Sequence, residues 1–235
     1  MRIKPQVVVK VHSPYLHQMK TKPVSIKVSP AIGSVSGEYI IPDKRICVMT
    51  IAHGAGAGMH HPFMTALARS LAENGIATLR FNFPFTENKK GRPDVPAVAH
   101  KTIDAAINHA RKQYPSLPLF ISGKSFGGRM SSQYLSTHPD VEVNGIIFFG
   151  FPLHAPGNPS IERAEHLKEV RQPKLFLSGT RDEFASLKEL ETVCSSLPNA
   201  TLIKIEGANH GFKAGKVDTM SMLVNFTKDW ITKII

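Results

Sequence analysis

The stretch Gly123-Lys124-Ser125-Phe126-Gly127-Gly128 decides the fold, because it stands where a short apolar run ends and a helix-like segment begins. It matches G-x-S-x-G, the pattern of a nucleophile elbow, in which a serine occupies a sharp strand-to-helix turn. Glycine is needed two residues before and two residues after Ser125, because side chains there would collide across the turn. The turn lifts the serine hydroxyl above a sheet, at a helix amino terminus where the Phe126 N–H can stabilise an oxyanion.

A competing interpretation of the same residues is a phosphate-binding loop, which ends in Gly-Lys-Ser or Gly-Lys-Thr. Its pattern, G-x-x-x-x-G-K-[ST], requires glycine at position 118, where this sequence has Pro118. The predicted strand also continues up to the motif and leaves no room for a loop around a phosphate. The sequence therefore excludes a phosphate-binding loop.

The rest of the chain alternates short apolar runs with helix-like segments, the pattern of a parallel sheet with crossover helices. The predicted strands are residues 24–28, 35–41, 47–52, 76–81, 118–122, 144–149, 174–178 and 200–205. The predicted helices are one that begins near Pro62 and those at 95–114, 126–138, 186–197 and 216–235. The longest stretch without a clear element, residues 151–171, is too short for a large cap. The pattern predicts a single doubly wound, mostly parallel sheet of about eight strands with helices on both faces and a minimal lid.

Two loops after later strands supply partners for Ser125. Asp182 follows the strand at 174–178, and His210 follows the strand at 200–205. Both should lie at the same sheet edge as Ser125, where His210 can take its proton and Asp182 can orient His210. The order Ser…Asp…His is the one that an α/β-hydrolase fold requires. Glu183 is the alternative acid, although the shorter Asp182 side chain at the first position after Arg181 is favoured.

A loop of small residues, His53-Gly54-Ala55-Gly56-Ala57-Gly58, follows the predicted central strand. A second oxyanion donor belongs at this place in the fold, and larger side chains would block the approach of a substrate to the backbone. We expect His53 to hold this loop by packing or by a hydrogen bond rather than to transfer protons.

These motifs resemble the α/β-hydrolase superfamily from about residue 24 to the end of the sequence. The loop at 53–56, the strand end at 80–84 and the elbow at 123–129 are similar to one compact family. That family resembles dienelactone hydrolases and includes bacterial hydrolases, an animal testis-expressed protein and a subunit of a histone-acetyltransferase regulatory complex. The resemblance implies that Ser125 is the nucleophile, His210 the base and Asp182 the orienting acid, with an oxyanion hole at the N–H groups of Ala55 and Phe126. Dienelactone hydrolases proper carry cysteine at the elbow instead of serine.

Further residues near strand ends are candidates for the substrate site. Phe83, Phe151 and His154 are predicted to line the pocket, with ordinary packing under a short lid as the alternative. Lys124 either steers an anionic substrate or is a solvated surface lysine. Arg129, one turn into the helix, is expected to bind a carboxylate or carbonyl of a neighbouring loop.

The charge and composition of the chain indicate its domain organisation and its cellular location. The chain has 235 residues and a formal net charge of +11, and its six Lys and Arg residues before Glu38 precede any acid. This pattern predicts a basic amino-terminal extension at residues 1–23 and a single domain at 24–235. The extension lacks the apolar stretch of a signal peptide, and no run is long enough to span a bilayer, so a cytoplasmic protein is expected.

The sequence offers no strong sign of a metal, a disulfide or a nucleic-acid module. His60 and His61 have no third ligand at a supporting spacing, and we expect no metal. Cys47 and Cys194 are predicted to be buried thiols. Specific nucleic-acid binding would rest on charge alone, since no binding module is present.

The function that these observations favour is hydrolysis of a small carboxylic ester or thioester through a Ser-His-Asp triad and an acyl-enzyme intermediate. The expected partner is a small-molecule acyl substrate, for which the basic charge could favour an anionic group. No cofactor is expected, and the sequence predicts no oligomeric state. The alternative is a non-catalytic scaffold that keeps the fold for binding another protein.

Overall fold

A computed structural model describes residues 19–235 of the chain. Eight strands form one sheet. They are β1 (Met19–Ser29), β2 (Gly33–Pro42), β3 (Cys47–Ala52), β4 (Ile76–Phe81), β5 (Leu119–Lys124), β6 (Gly145–Phe149), β7 (Lys174–Gly179) and β8 (Ala200–Ile205). Their order in the sheet is β1-β2-β4-β3-β5-β6-β7-β8. Strands β3 to β8 are parallel, whereas β1 and β2 pair antiparallel at one edge. The predicted mostly parallel, doubly wound sheet is confirmed.

The boundary predicted between an extension at residues 1–23 and a domain at 24–235 falls within the first strand of the sheet. Strand β1 begins at Met19, so residues 19–23 belong to the sheet, and the rest of the predicted extension lies outside the described residues. Lys20 and Lys22 in this part are exposed, and hydrogen bonding to β2 rather than burial makes them a strand. Pro23 is tolerated because β1 is an edge strand.

Six α-helices accompany the sheet in the described residues, and they cover both of its faces. They are α1 (Pro62–Glu73), α2 (Pro84–Glu87), α3 (Pro96–Gln113), α4 (Phe126–Thr137), α5 (Leu187–Ser196) and α6 (Thr219–Thr232). Apolar residues of α3, α4 and α5 pack in one core cluster, and those of α1 and α6 pack in the other. Helix α2 was not predicted, because its four residues are too few to show a periodic pattern.

The central strands β3, β5 and β6 are entirely buried or nearly so, which agrees with their continuous apolar sequences. Strand β3 lies between β4 and β5. The next strand along the chain, β4, is added on one side of β3, and the following strand, β5, is added on its other side. In open parallel sheets, ligands bind outside the carboxyl ends of strands at such a reversal. The loop after β3 and the elbow after β5 both lie there.

The segment after β6 contains a 3₁₀ helix, Glu162–Glu169, and no larger cap. Cys47 and Cys194 are both buried and unpaired, as predicted. Among residues 19–235, no helix has the length and apolar character needed to cross a membrane.

Candidate active site

Ser125 lies at the sharp turn between β5 and α4. Its φ of 51° and ψ of −115° fall outside the regions that a residue with a side chain ordinarily adopts. Such strain persists only where the surroundings enforce it, and it concentrates at functional sites. The backbone N–H of Arg129 donates to the Ser125 carbonyl at 3.1 Å and starts the helix. The elbow predicted from the sequence is therefore formed.

The glycines of the elbow are required by close backbone contacts. A Cβ at Gly123 would lie 2.3 Å from the Gly128 nitrogen, and one at Gly127 would lie 2.4 Å from the Ala52 carbonyl oxygen. Real Cβ atoms do not approach other atoms so closely. The second contact packs the elbow directly against the end of β3, so these glycines also position the serine relative to the small-residue loop.

Asp182 and His210 are brought together by the loops after β7 and β8. The His210 Nδ1 lies 3.0 and 2.9 Å from the two carboxylate oxygens of Asp182, whose side chain is fully buried. The Phe184 N–H also donates to Asp182, at 2.8 Å. The alternative acid, Glu183, instead accepts the backbone N–H of His210 at 3.1 Å. The structure thus places Asp182, and not Glu183, at the imidazole ring.

The other ring nitrogen of His210, Nε2, is shielded from solvent and has no hydrogen-bond partner among residues 19–235. The Oγ of Ser125 makes no hydrogen bond to it. Hydrogen bonds between catalytic groups are often long in the absence of substrate and tighten when substrate binds. A buried nitrogen without a partner is costly, so its position in a cavity with Ser125 suggests a role in binding or proton transfer.

The loop after β3 is held by His53, as expected. The buried His53 ring accepts the Phe83 N–H at its Nε2 (3.1 Å), so its Nδ1 carries the proton and donates to the Gly54 carbonyl (2.8 Å). Burial lowers the pKa of His53 to about 4, although the bond to Gly54 opposes the shift. A neutral ring with both nitrogens in use is suited to holding a loop and not to transferring protons.

Two backbone N–H groups that the sequence assigned to an oxyanion hole are available at this place. The N–H groups of Ala55 and Phe126 have no acceptor among the described residues. Phe126 is the first residue of α4, so its N–H belongs to the unpaired first turn of the helix. Ala55 lies with Ser125 on the walls of the same cavities.

Two cavities meet at Ser125 and share Ala55, Ser125 and Phe184. The larger one, of about 790 Å³, is mainly apolar and also contains His210. The smaller one, of about 360 Å³, lies on the side of α4 and the 3₁₀ helix. Together they form a more extensive site than the shallow one that a minimal lid suggests.

None of the three residues predicted to line the substrate pocket lies on these cavity walls. Phe83 packs edge-on against His53 and Phe126, and Phe151 packs against core aromatics of β6 and β7. His154 contacts Glu189 of α5 at 3.1 Å. Their position after strand ends was correct, but the chain turns their side chains into the core, and the prediction of substrate contacts is not supported.

The comparisons with known proteins agree with this fold. The family model described as an alpha/beta hydrolase domain matches residues 45–231. The chain belongs to the alpha/beta hydrolase family.

Solved structures of other family members have the same fold. A dienelactone hydrolase from Anabaena variabilis superposes with a TM-score of 0.74 at 19% identity, covering 93% of this chain and 100% of that one. A serine hydrolase without a lid from Xanthomonas campestris gives a TM-score of 0.73 at 22% identity, covering 90% and 95% of the two chains. At these identities the likeness concerns the fold, and it confirms the predicted alpha/beta hydrolase architecture.

A curated relative in Mycobacterium tuberculosis, named "Putative phosphoribosyl transferase", is 26% identical over 201 residues. The match covers 83% of this alpha/beta hydrolase and 43% of the relative, so the chain spans less than half of that protein's length. A carboxymethylenebutenolidase homolog from Mus musculus is 22% identical over 118 residues, 48% of this chain and 44% of that one.

The structure decides against one of the two alternatives that the sequence left open for Lys124, because its ammonium is not solvated. In this alpha/beta hydrolase the Lys124 Nζ is shielded from water, has no hydrogen-bond partner among residues 19–235, and lies 5.4 Å from the centre of the Phe212 ring. Burial lowers the pKa of Lys124 to about 8, and Asp182 and Glu183 oppose that shift. A surface lysine is excluded, and a cation beside the His210–Asp182 pair remains.

Some residues of the site could not be recognised from the sequence. Phe63 and Phe184 line the larger cavity, and Arg163 lines the smaller one. Phe63 stacks on Phe212, with ring centres 5.8 Å apart. The only indication of these residues in the sequence was that Phe184 lies two positions after Asp182.

Proposed function

We propose that this alpha/beta hydrolase is a serine hydrolase that cleaves a small carboxylic ester or thioester. The observation that carries the proposal is the His210–Asp182 pair, whose unpartnered Nε2 lies in the same cavity as the strained Ser125. The family membership supports hydrolysis as the reaction class. The assignment of a triad and of the substrate class is our inference from the side chains.

The chemistry starts at Ser125. His210 removes the hydroxyl proton through Nε2 while Ser125 Oγ attacks the carbonyl carbon of the substrate. Asp182 holds the ring through Nδ1 and stabilises the positive charge that forms on it. His210 then gives the proton to the leaving group, which departs as an alcohol or a thiol and leaves an acyl group on Ser125.

The negative oxygen of the tetrahedral intermediate is proposed to accept hydrogen bonds from two backbone N–H groups. The unpaired N–H groups of Ala55 and Phe126 flank Ser125 from the end of β3 and the start of α4. Each such donor contributes roughly 3–4 kcal/mol of transition-state stabilisation in comparable sites. In the second half of the reaction, His210 activates a water molecule that hydrolyses the acyl-enzyme. No step requires a metal or a cofactor.

The test is covalent labelling with a fluorophosphonate probe, which reacts with activated serines. We expect wild-type protein to be labelled and to hydrolyse 4-nitrophenyl acetate, and Ser125→Ala to lose both properties. Ser136→Ala is the matched control, since Ser136 lies on α4 but at the opposite end from the elbow. Labelling of Ser125→Ala at the wild-type level would show that another residue is the nucleophile.

The non-catalytic scaffold is the competing function, and the same experiment distinguishes it. A scaffold has no need of a buried carboxylate bonded to a histidine beside an elbow serine. It is favoured only if the folded wild-type protein neither reacts with the probe nor hydrolyses the ester. The transferase name of the mycobacterial relative describes a protein more than twice as long as the match, and we do not propose that activity here.

A further inference from the structure

The smaller cavity beside Ser125 differs from the larger one in the type of cation on its walls. Its walls include Arg129 and Arg163, together with Ala55, Ser125 and Phe126 of the reaction centre. The larger cavity is mainly apolar near Ser125, and its basic residues are Lys124 and Lys213 instead of arginines. A molecule bound across Ser125 would thus place one part against apolar side chains and the other beside two guanidinium groups.

The two arginines are held on elements that pack together. Arg129 lies one turn after Ser125, and its backbone N–H donates to the Ser125 carbonyl. Arg163 lies near the start of the 3₁₀ helix Glu162–Glu169. A contact of 2.8 Å between Ser132 Oγ on α4 and His166 Nε2 on the 3₁₀ helix joins the two elements. The separation of Arg129 and Arg163 is thereby set by the fold.

Neither arginine has an anionic partner within residues 19–235. The expected bond from Arg129 to a loop carboxylate or carbonyl is absent, and no side-chain hydrogen bond or ion pair involves Arg163. Residues 1–18 contain no Asp or Glu that could supply one. Burial, and then the charge of Arg163, lower the pKa of Arg129. Within residues 19–235, no ion pair offsets the repulsion between these two guanidinium groups.

The surroundings do little to neutralise the pair. Asp94 is the one acidic residue on the described cavity wall, and its carboxylate accepts the Phe85 N–H at 2.9 Å without an ion pair to either arginine. His166, behind Arg129, has its pKa lowered to about 4 by burial and by the Arg129 charge, so it is neutral at physiological pH. Two guanidinium groups and one carboxylate leave a single positive charge facing the cavity.

We propose that Arg129 and Arg163 form a binding site for a free carboxylate on the substrate. The inference deepens the proposed hydrolase function, on which its catalytic part rests. A guanidinium binds a carboxylate through two parallel N–H···O bonds, and a monoanion matches the single surplus charge of the wall. The substrate class is therefore an ester or thioester with an apolar part and a carboxylate a few atoms from the scissile carbonyl.

The experiment compares esters that differ only in this charge. One pair is the 4-nitrophenyl monoester of glutarate and its methyl ester, which tests a carboxylate on the acyl side. The second pair is 4-acetoxybenzoate and its methyl ester, which tests a carboxylate on the leaving group. In the wild type we expect kcat/KM to favour the free carboxylate at least tenfold in one pair, mainly through a lower KM.

The variants are Arg129→Gln, Arg163→Gln and the double variant, with Arg171→Gln as the matched control. Arg171 is an exposed arginine that does not line the cavity. We expect the preference to fall to less than about twofold in the double variant and to persist in the control. No preference in the wild type for either pair, or the same preference in the double variant, would overturn the subsite. The latter result would assign the recognition to another cation, such as Lys124.

A binding measurement separates the subsite from the catalytic proposal. Thermal unfolding of Ser125→Ala protein is followed with and without millimolar glutarate or inorganic phosphate, and again with both arginines changed to Gln. We expect glutarate to raise the melting temperature only where the arginines are present. Without a ligand, the melting temperature of the arginine variants should be no lower than that of their parent, because the repulsion between the two guanidinium groups is removed. Greater stabilisation by phosphate than by glutarate would contradict a carboxylate site. If glutarate binds in this way but no ester is cleaved, the subsite stands and the hydrolase function fails.

Discussion

His53 and His210 both stand in loops after strands of the same sheet, on the two sides of Ser125, yet their surroundings differ completely. His53 uses both ring nitrogens within the protein, one toward the Gly54 carbonyl and one toward the Phe83 N–H. His210 uses only Nδ1, toward Asp182, and its Nε2 has no partner within the described chain. The difference teaches that nearness to the elbow serine does not distinguish the two histidines, whereas a ring nitrogen without a partner does.

The partners also differ in charge. The carbonyl and N–H groups around His53 stabilise a neutral ring in a buried place, and burial lowers its pKa to about 4. Asp182 beside His210 is instead a buried carboxylate. In the proposed mechanism it stabilises the positive charge that the ring gains when it takes the serine proton. The same residue type thus stabilises a loop at one strand end and is proposed to move protons at the other.

The largest expected effect is that of replacing His210. We expect His210→Gln to lower kcat/KM for 4-nitrophenyl acetate by about 10⁶-fold, because the serine then has no base. His53→Gln, the matched control, should lower it about tenfold, since glutamine can retain part of the loop contacts. Similar losses in the two variants would remove the distinction between the histidines.

The second-largest expected effect on activity is that of replacing Asp182, the carboxylate that His210 contacts and that His53 lacks. We expect Asp182→Asn to lower kcat by about 10⁴-fold, because the amide neither fixes the ring nor stabilises its charge. Glu183→Gln is the control, as Glu183 contacts only the backbone of His210. It should cost less than about tenfold. If Glu183→Gln were the more damaging change, Glu183 would be the orienting acid.

The smallest effect is on stability in acid, and it belongs to His53. Its pKa is about 4 in the folded protein, against an ordinary histidine pKa of 6.5, so below pH 6.5 the unfolded chain binds a proton that the folded one does not. The stability that the neutral ring provides is complete above pH 6.5 and is lost as the pH falls toward 4. The loss amounts to about 3 kcal/mol for this shift.

Urea unfolding of the wild type and His53→Gln at pH 7, 5.5 and 4.5 measures that loss. His53→Gln should be the less stable protein at pH 7, and the difference should narrow as the pH falls. The exposed His60, changed to Gln, serves as the control and should show no such narrowing. A difference that stays constant across these pH values would show that His53 does not remain neutral in the folded state.

Much of the site was predictable because it rests on short, local constraints. The elbow at Ser125 requires glycines within two residues, and those positions can be read directly from the chain. The predicted ends of the strands lie within about two residues of the observed ends, because buried strands are continuously apolar. The edge strand β1 is the exception. Asp182 and His210 were located because parallel strands all place their carboxyl ends at one edge.

Other assignments depended on the surroundings of each side chain. The choice between Asp182 and Glu183 required the direction in which the loop after β7 turns. Phe83 and Phe151 follow strand ends, as a pocket residue would, but they are buried in the core. Arg129 was expected to have a partner, and only the packing of α4 against the 3₁₀ helix shows that it faces another arginine instead.

The sequence by itself therefore determined the fold class, the order of the strands along the chain, and the serine and the histidine proposed for proton transfer. These depend on periodicity and on spacing within a few residues. The tertiary structure alone decided which ring nitrogen is free, that the Lys124 ammonium is shielded from water, and that Arg129 and Arg163 share a cavity with Ser125. Burial and pairing are properties of atoms from elements far apart in sequence, so no local pattern encodes them.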